Sequence, residues 1–225
     1  MMLNVWFFFF VFSALLDWSA LWMGWKKVNY FSKPAALLAL IAWFTSLGGW
    51  QLAPFWFGLA LVFSLLGDIF LLLADKFFLL GLVAFLLAHA AYVAGFMPAS
   101  PTPALPTLLI SVVVFLLGSY LYQKLHASIA TRPTQKKMAV PLLLYCLALC
   151  LMLFSALLTL VQPHWLPAAA ILVASGGMLF FASDSLLAHN RFIHPLPNAR
   201  LLVRITYHLA QLALVAGILL NSLKC

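Results

Sequence analysis

Apolar residues run along this chain in blocks of about twenty, separated by short breaks rich in glycine, proline and basic residues. A helix of about twenty residues matches the hydrocarbon thickness of a bilayer. The pattern predicts eight transmembrane helices, at residues 3–23, 33–50, 54–74, 77–97, 105–124, 138–160, 166–188 and 199–222. The breaks fall at Gly48-Gly49 with Pro54, at Pro98, Pro101, Pro103 and Pro106, at Pro163 with Pro167, and at Pro195 with Pro197. The longest polar break, 123–137 (QKLHASIATRPTQKK), is the natural midpoint. GDIFLL and SDSLLA stand at corresponding places in the third and seventh spans. That placement allows a parallel repeat of four plus four helices, split near 124–137, within one domain covering 1–225.

Composition sharpens this picture. Hydrophobic residues make up 66% of the 225 positions and charged residues 7%, where a soluble domain carries about 25% charged. The chain is expected to be an integral membrane protein, all-α and polytopic. The runs are too long and too uniformly apolar for the alternating strands of a barrel. The first apolar block has no basic lead and no small-residue cleavage site, so it is expected to be retained as a helix. The net charge of +8 raises the question of nucleic acid. The basic residues are dispersed over short loops, and no nucleic-acid partner is expected. Cys146 and Cys150 share one apolar helix, and with Cys225 they show no metal-ligand spacing.

Eleven of the twelve lysines and arginines fall in the loops after spans 1, 3, 5 and 7, and only Lys224 falls on the other side. The positive-inside rule places those loops in the cytoplasm and both termini on the non-cytoplasmic side. The polar residues inside the spans follow the same asymmetry. Asp17, Asp68 and Asp184 lie in the cytoplasmic halves of spans 1, 3 and 7. His89, Tyr92, Tyr145, Tyr207, His208 and Gln211 come from spans running the other way, at similar depths. Ionisable groups are expensive in a bilayer and usually mark function. Their clustering on one side predicts a cavity open to the cytoplasm and not a path across the membrane. Asp17, beside Trp18 and Trp22, is expected at the interface in a structural role, and Asp75-Lys76 in a turn. His126, His164, His189 and His194 are expected in loops.

Several of these residues stand in an order that resembles the YhhN family of membrane proteins, the lysoplasmalogenases. The matching pieces are Lys33-Pro34, Gly67-Asp68 and Phe77 to Tyr92 (FFLLGLVAFLLAHAAY). They continue with Ser183-Asp184-Ser185, Leu187 to Asn190, Phe192, Thr206-Tyr207 and Ala210-Gln211. The resemblance covers nearly the whole chain. It implies an eight-helix bundle that hydrolyses the vinyl ether bond of a lysoplasmalogen to a fatty aldehyde and a glycerophosphodiester. It also implies that the family's essential aspartates correspond to Asp68 and Asp184. His208 stands where a second aromatic is expected and receives no role.

The chemistry suits these residue types. Vinyl ether hydrolysis begins with protonation at carbon and passes through an oxocarbenium ion that water captures. One neutral carboxyl and one ionised carboxylate supply both needs, as in glycosidases, and two such groups titrate as a unit. Asp68 and Asp184 are the candidate catalytic pair. His89, Tyr92, Tyr207 and Gln211 are candidate supports, and Asn190 joins them through the family motif. Lys33 and Arg204, at the cytoplasmic side, are candidate ligands for the phosphate of the lysophospholipid. No cofactor and no metal are expected. The competing readings are a metal-dependent lipid hydrolase of the ceramidase type, with Asp68, His89, Asp184 and His208 as ligands, and a small proton-coupled transporter. The basic bias of the loops points to a bacterial inner membrane. Oligomeric state and headgroup preference are not legible.

Overall fold

In the computed structural model, residues 3–51, 54–96 and 105–222 are described. They form eight α-helices: α1 (Val5–Trp22), α2 (Lys26–Ser46), α3 (Pro54–Leu72), α4 (Phe78–Phe96), α5 (Leu105–Ala130), α6 (Ala139–Leu158), α7 (Pro167–Phe192) and α8 (Ala199–Ser222). No strand occurs among the described residues. Lys224, Cys225 and the breaks at Pro98, Pro101 and Pro103 lie outside them.

Seven of these helices are long and apolar enough to cross a membrane. The exception is α2, and it differs most from expectation. Its helix starts at Lys26, not at residue 33, and Pro34 lies inside it. Its first two turns carry Lys26, Lys27, Asn29, Ser32 and Lys33, which lowers its hydropathy. Proline in a helix interior removes a hydrogen bond, so local preference would start the helix at Pro34. Tertiary bonds keep the earlier turns helical: Asn29 and Ser32 both donate to Asp17 on α1, at 2.7 and 2.8 Å. α5 and α7 also outrun their expected ends, to Ala130 and Phe192. His126 and His189 are consequently helical, not in loops. The ends of these two helices brace each other. Ser128 Oγ donates to the Phe192 carbonyl at 2.5 Å, and Arg132 Nη2 to the Ile193 carbonyl at 3.1 Å.

Consecutive helices pack as pairs, α1 with α2, α3 with α4, α5 with α6 and α7 with α8. α8 touches α1, α2, α3 and α7, and α6 joins α4 to α7. α5 is peripheral, with Leu108, Val112, Phe115 and Leu116 exposed as a lipid-facing side would be. The α7–α8 pair is the closest. A Cβ on Gly176 would stand 2.9 Å from the Leu214 nitrogen and 3.0 Å from the Ala210 carbonyl oxygen. A Cβ on Gly217 would stand 2.9 Å from the Ala169 carbonyl oxygen. Those neighbours are backbone and cannot rotate away. Membrane helices, lacking a hydrophobic drive between them, use such small residues to gain close van der Waals contact. The buried centre is aromatic and aliphatic, built from Phe44, Phe57, Tyr92, Phe180, Leu37 and Leu40. Asn4 caps α1 by accepting from Trp6 N and Phe7 N, and its amide donates to Ser46 Oγ at 2.7 Å, tying the start of α1 to the end of α2.

Candidate active site

A cavity of about 990 Å³ enters the bundle from the end that carries the α1–α2, α3–α4 and α7–α8 connections. Lys26, Asp75, Arg191 and Arg200 stand at its mouth, and Lys33, Asp68, Asp184 and Tyr207 line its depth. Asp68 and Asp184 are both buried and both reach this one cavity from different helices. A small adjoining apolar pocket between α4, α6 and α7 also touches Asp184, with Leu82, Leu142 and Phe192 in its walls.

The two carboxyls have different partners. Asp68 Oδ1 lies 2.7 Å from the Lys33 ammonium, and Asp68 Oδ2 accepts from Tyr207 OH at 2.9 Å. A buried charge without a partner is costly, and this ion pair brings together residues from α2 and α3. Asp184 Oδ2 accepts from Tyr145 OH on α6, and His89 Nε2 on α4 stands 3.4 Å from the same oxygen. The His89 ring lies edge-on to Tyr145 and Phe180, with centroids 5.4 and 5.0 Å away. Neither ring nitrogen of His89 makes a well-formed hydrogen bond.

Tyr92 and Gln211 do not touch the acids, contrary to expectation. Tyr92 OH donates to Gln211 Oε1, and Gln211 Nε2 donates to Ser64 Oγ at 3.0 Å. The reason is helical register. Ser64 lies one turn deeper than Asp68, Tyr92 one turn deeper than His89, and Gln211 one turn deeper than Tyr207. These three form a closed polar floor beneath the carboxyl layer, with the Phe180 ring between the layers near Tyr92 and Tyr207.

Three further expectations are corrected. Lys33 is not at the surface but buried against Asp68. Asn190 lines the cavity, but its side-chain oxygen accepts from Leu196 N at 3.1 Å, which fixes the α7–α8 connection. Arg204 lines the cavity as expected and donates from Nη1 to Asp17 Oδ2 at 3.0 Å. Asp17 is fully buried within the bundle and does not face water. The sequence places Tyr145 and Asp17 among the polar residues of the predicted cavity but assigns them no part in its chemistry, and Ser64 is not singled out. The available signal was their placement: a polar side chain in a bilayer-length apolar helix needs a partner, and each has one here. Asp75 stays at the exposed mouth, 3.0 Å from Arg191 Nη1. Among the described residues no three His, Cys, Asp or Glu side chains gather closely enough to hold a metal ion.

The sequence model of the YhhN family matches residues 28–218. Lysoplasmalogenase TMEM86B of Mus musculus is 30% identical over 201 residues, which is 88% of this chain and 77% of that protein. Lysoplasmalogenase TMEM86B of Homo sapiens is 30% identical over 133 residues, 58% of this chain and 49% of that protein. No solved structure matches the fold significantly.

Proposed function

This chain belongs to the YhhN family, and from that premise we propose that it is a lysoplasmalogenase with Asp68 and Asp184 as its catalytic acid and base. The observation that carries the reading is two buried carboxyls from different helices, with unlike partners, lining one cavity.

Roles follow from the partners. Asp68 faces the Lys33 ammonium and takes the part of the carboxylate. Asp184 faces a phenol and an imidazole, with no cation in contact, and takes the part of the acid. Asp184 delivers its proton to the vinyl carbon remote from oxygen, and the positive charge that develops on the ether carbon is stabilised by Asp68. Water then adds to that carbon as Asp68 takes one of its protons, giving a hemiacetal. Collapse expels the glycerol oxygen, which receives the proton from Asp68, while Asp184 takes back the hydroxyl proton. Aldehyde and glycerophosphodiester leave, and both carboxyls return to their starting states. Tyr145 and Tyr207 hold the carboxyls in place, and His89 packs against Asp184. General acid–base groups of this kind contribute about 10²–10⁴-fold each.

The substrate suits the surroundings. Its single hydrocarbon chain lies against apolar helix faces on the Asp184 side, and its phosphate lies toward the basic mouth. In the same reading α2 is the eighth span and the membrane is a bacterial inner membrane; the positive-inside rule then puts both termini on the non-cytoplasmic side and turns the mouth to the cytoplasm. The experiment is incubation of the purified protein in detergent with lysoplasmenylethanolamine, followed by aldehyde detection. Wild type is expected to release aldehyde and Asp68→Asn and Asp184→Asn to release none. Full activity in both folded variants would end the proposal.

A further inference from the structure

We infer that Asp17, on α1, is a positioning residue that holds Arg204 as the phosphate clamp of the site, in register with Asp68. The inference rests on the lysophospholipid reading above and names the group that reads its phosphate.

Asp17 is fully buried, yet all its hydrogen bonds come from other helices. Oδ1 accepts from Asn29 Nδ2 at 2.7 Å and Ser32 Oγ at 2.8 Å, both on α2. Oδ2 accepts from Arg204 Nη1 at 3.0 Å, on α8. The carboxylate is therefore fixed by α2 and in turn fixes the guanidinium. Asp17 also lies ahead of the stretch, 28–218, that the family model matches.

The guanidinium is not consumed by this bond. Arginine carries five N–H donors in a rigid fork suited to phosphate, and Asp17 takes one of them. The Arg204 side chain is 12% exposed and borders the cavity. Lys33, the other basic side chain at depth, is occupied by Asp68. Asp17 offsets the charge of Arg204, but Lys26 and Arg200 line the same cavity further out and keep its field positive.

Register adds the second observation. Arg204 is three residues from Tyr207 on α8, about 4.5 Å along the axis, and Tyr207 OH is bonded to Asp68. A phosphate on Arg204 thus lies one helical turn above the carboxyl layer. In the substrate, three glycerol carbons and one oxygen separate the ether oxygen from phosphorus, a span of the same order. A phosphate held at Arg204 sets the vinyl ether at the depth of the acids. Fixing the guanidinium in advance spares the ordering cost of binding.

The test uses the full chain in detergent. Three quantities are measured in wild type and Asp17→Asn: KM and kcat for lysoplasmenylethanolamine, and the rise in melting temperature produced by glycerophosphoethanolamine or by inorganic phosphate. The expected result for Asp17→Asn is a KM about tenfold higher, from the loss of one charge-assisted bond, with kcat within about twofold of wild type. Glycerophosphoethanolamine is expected to protect wild type and not the variant. Protection by inorganic phosphate as well means the clamp reads phosphate alone; protection by glycerophosphoethanolamine only means it reads the glycerol diester, and both support the inference. Should Asp17→Asn not fold, Asn29→Ala, which removes one donor to Asp17 at a half-buried position, is expected to raise KM in the same direction by less. A folded Asp17→Asn protein with wild-type KM and wild-type protection overturns the inference, as does a fall in kcat at unchanged KM. If wild type releases no aldehyde, the lysoplasmalogenase reading fails by itself. The protection measurement then decides the clamp alone, and absence of protection in wild type overturns it.

Discussion

Replacing Lys33 by methionine separates two roles for this residue. Methionine keeps most of the apolar stem and removes the ammonium. Lys33 and Asp68 are both buried and 2.7 Å apart, so the substitution leaves a buried carboxylate with only the Tyr207 hydroxyl on its other oxygen. Removing one partner of a buried ion pair costs about 3–5 kcal/mol, and the remaining Tyr207 bond places the expectation at the lower end of that range. Adding Asp68→Asn removes the stranded charge while retaining an acceptor for Tyr207. The double variant is therefore expected to regain about 2 kcal/mol, a coupling well above the additivity limit for independent sites. The assay is equilibrium unfolding in mixed micelles with increasing SDS, followed by the fluorescence of the eight tryptophans. A lysine serving only as a surface phosphate ligand predicts a change within about 0.5 kcal/mol and no recovery in the double variant. That outcome would refute the buried-pair reasoning and return Lys33 to the mouth of the cavity.

Other perturbations test neighbouring parts of the structure. Tyr145→Phe deletes the donor to Asp184 Oδ2; a buried acceptor left without its partner costs about 1–3 kcal/mol, which corresponds to a kcat lower by about five- to a hundredfold, measured by aldehyde release at saturating substrate. Gly176→Ala places a methyl against the Leu214 nitrogen and Ala210 carbonyl of α8, and the overpacking is expected to cost about 1–3 kcal/mol, read as an earlier SDS midpoint. Exhaustive chelation is expected to leave aldehyde release unchanged; loss of activity restored by a divalent metal would revive the metal-dependent alternative.

The elements and the chemistry available to them are legible in the residues alone. Seven bilayer-length apolar helices were legible because water tolerates no such runs and a helix satisfies its own backbone. Asp68 and Asp184 stood out because a carboxyl is rare in that setting, and the depth of the polar residues announced a cavity at the basic end. Which side chain meets which is a matter of packing. Along α3 or α4 most positions on both sides are apolar, and only Ser64, Asp68, His89 and Tyr92 mark the inward face, so the periodicity that marks a buried face in a soluble helix is weak. The polar residues show which side of each helix faces inward but not which neighbour each one meets. Close backbone approach at Gly176 and Gly217 sets α8 against α7, and the rotations of α8 and α4 together turn Gln211 and Tyr92 to each other and not to the acids. Packing also joins Arg204 to Asp17 across 187 residues and sends Lys33 inward to Asp68. The early start of α2 has the same origin. Its first turns are polar and precede a proline, and only their bonds to Asp17 and Asp68 make the helix the lower-energy choice.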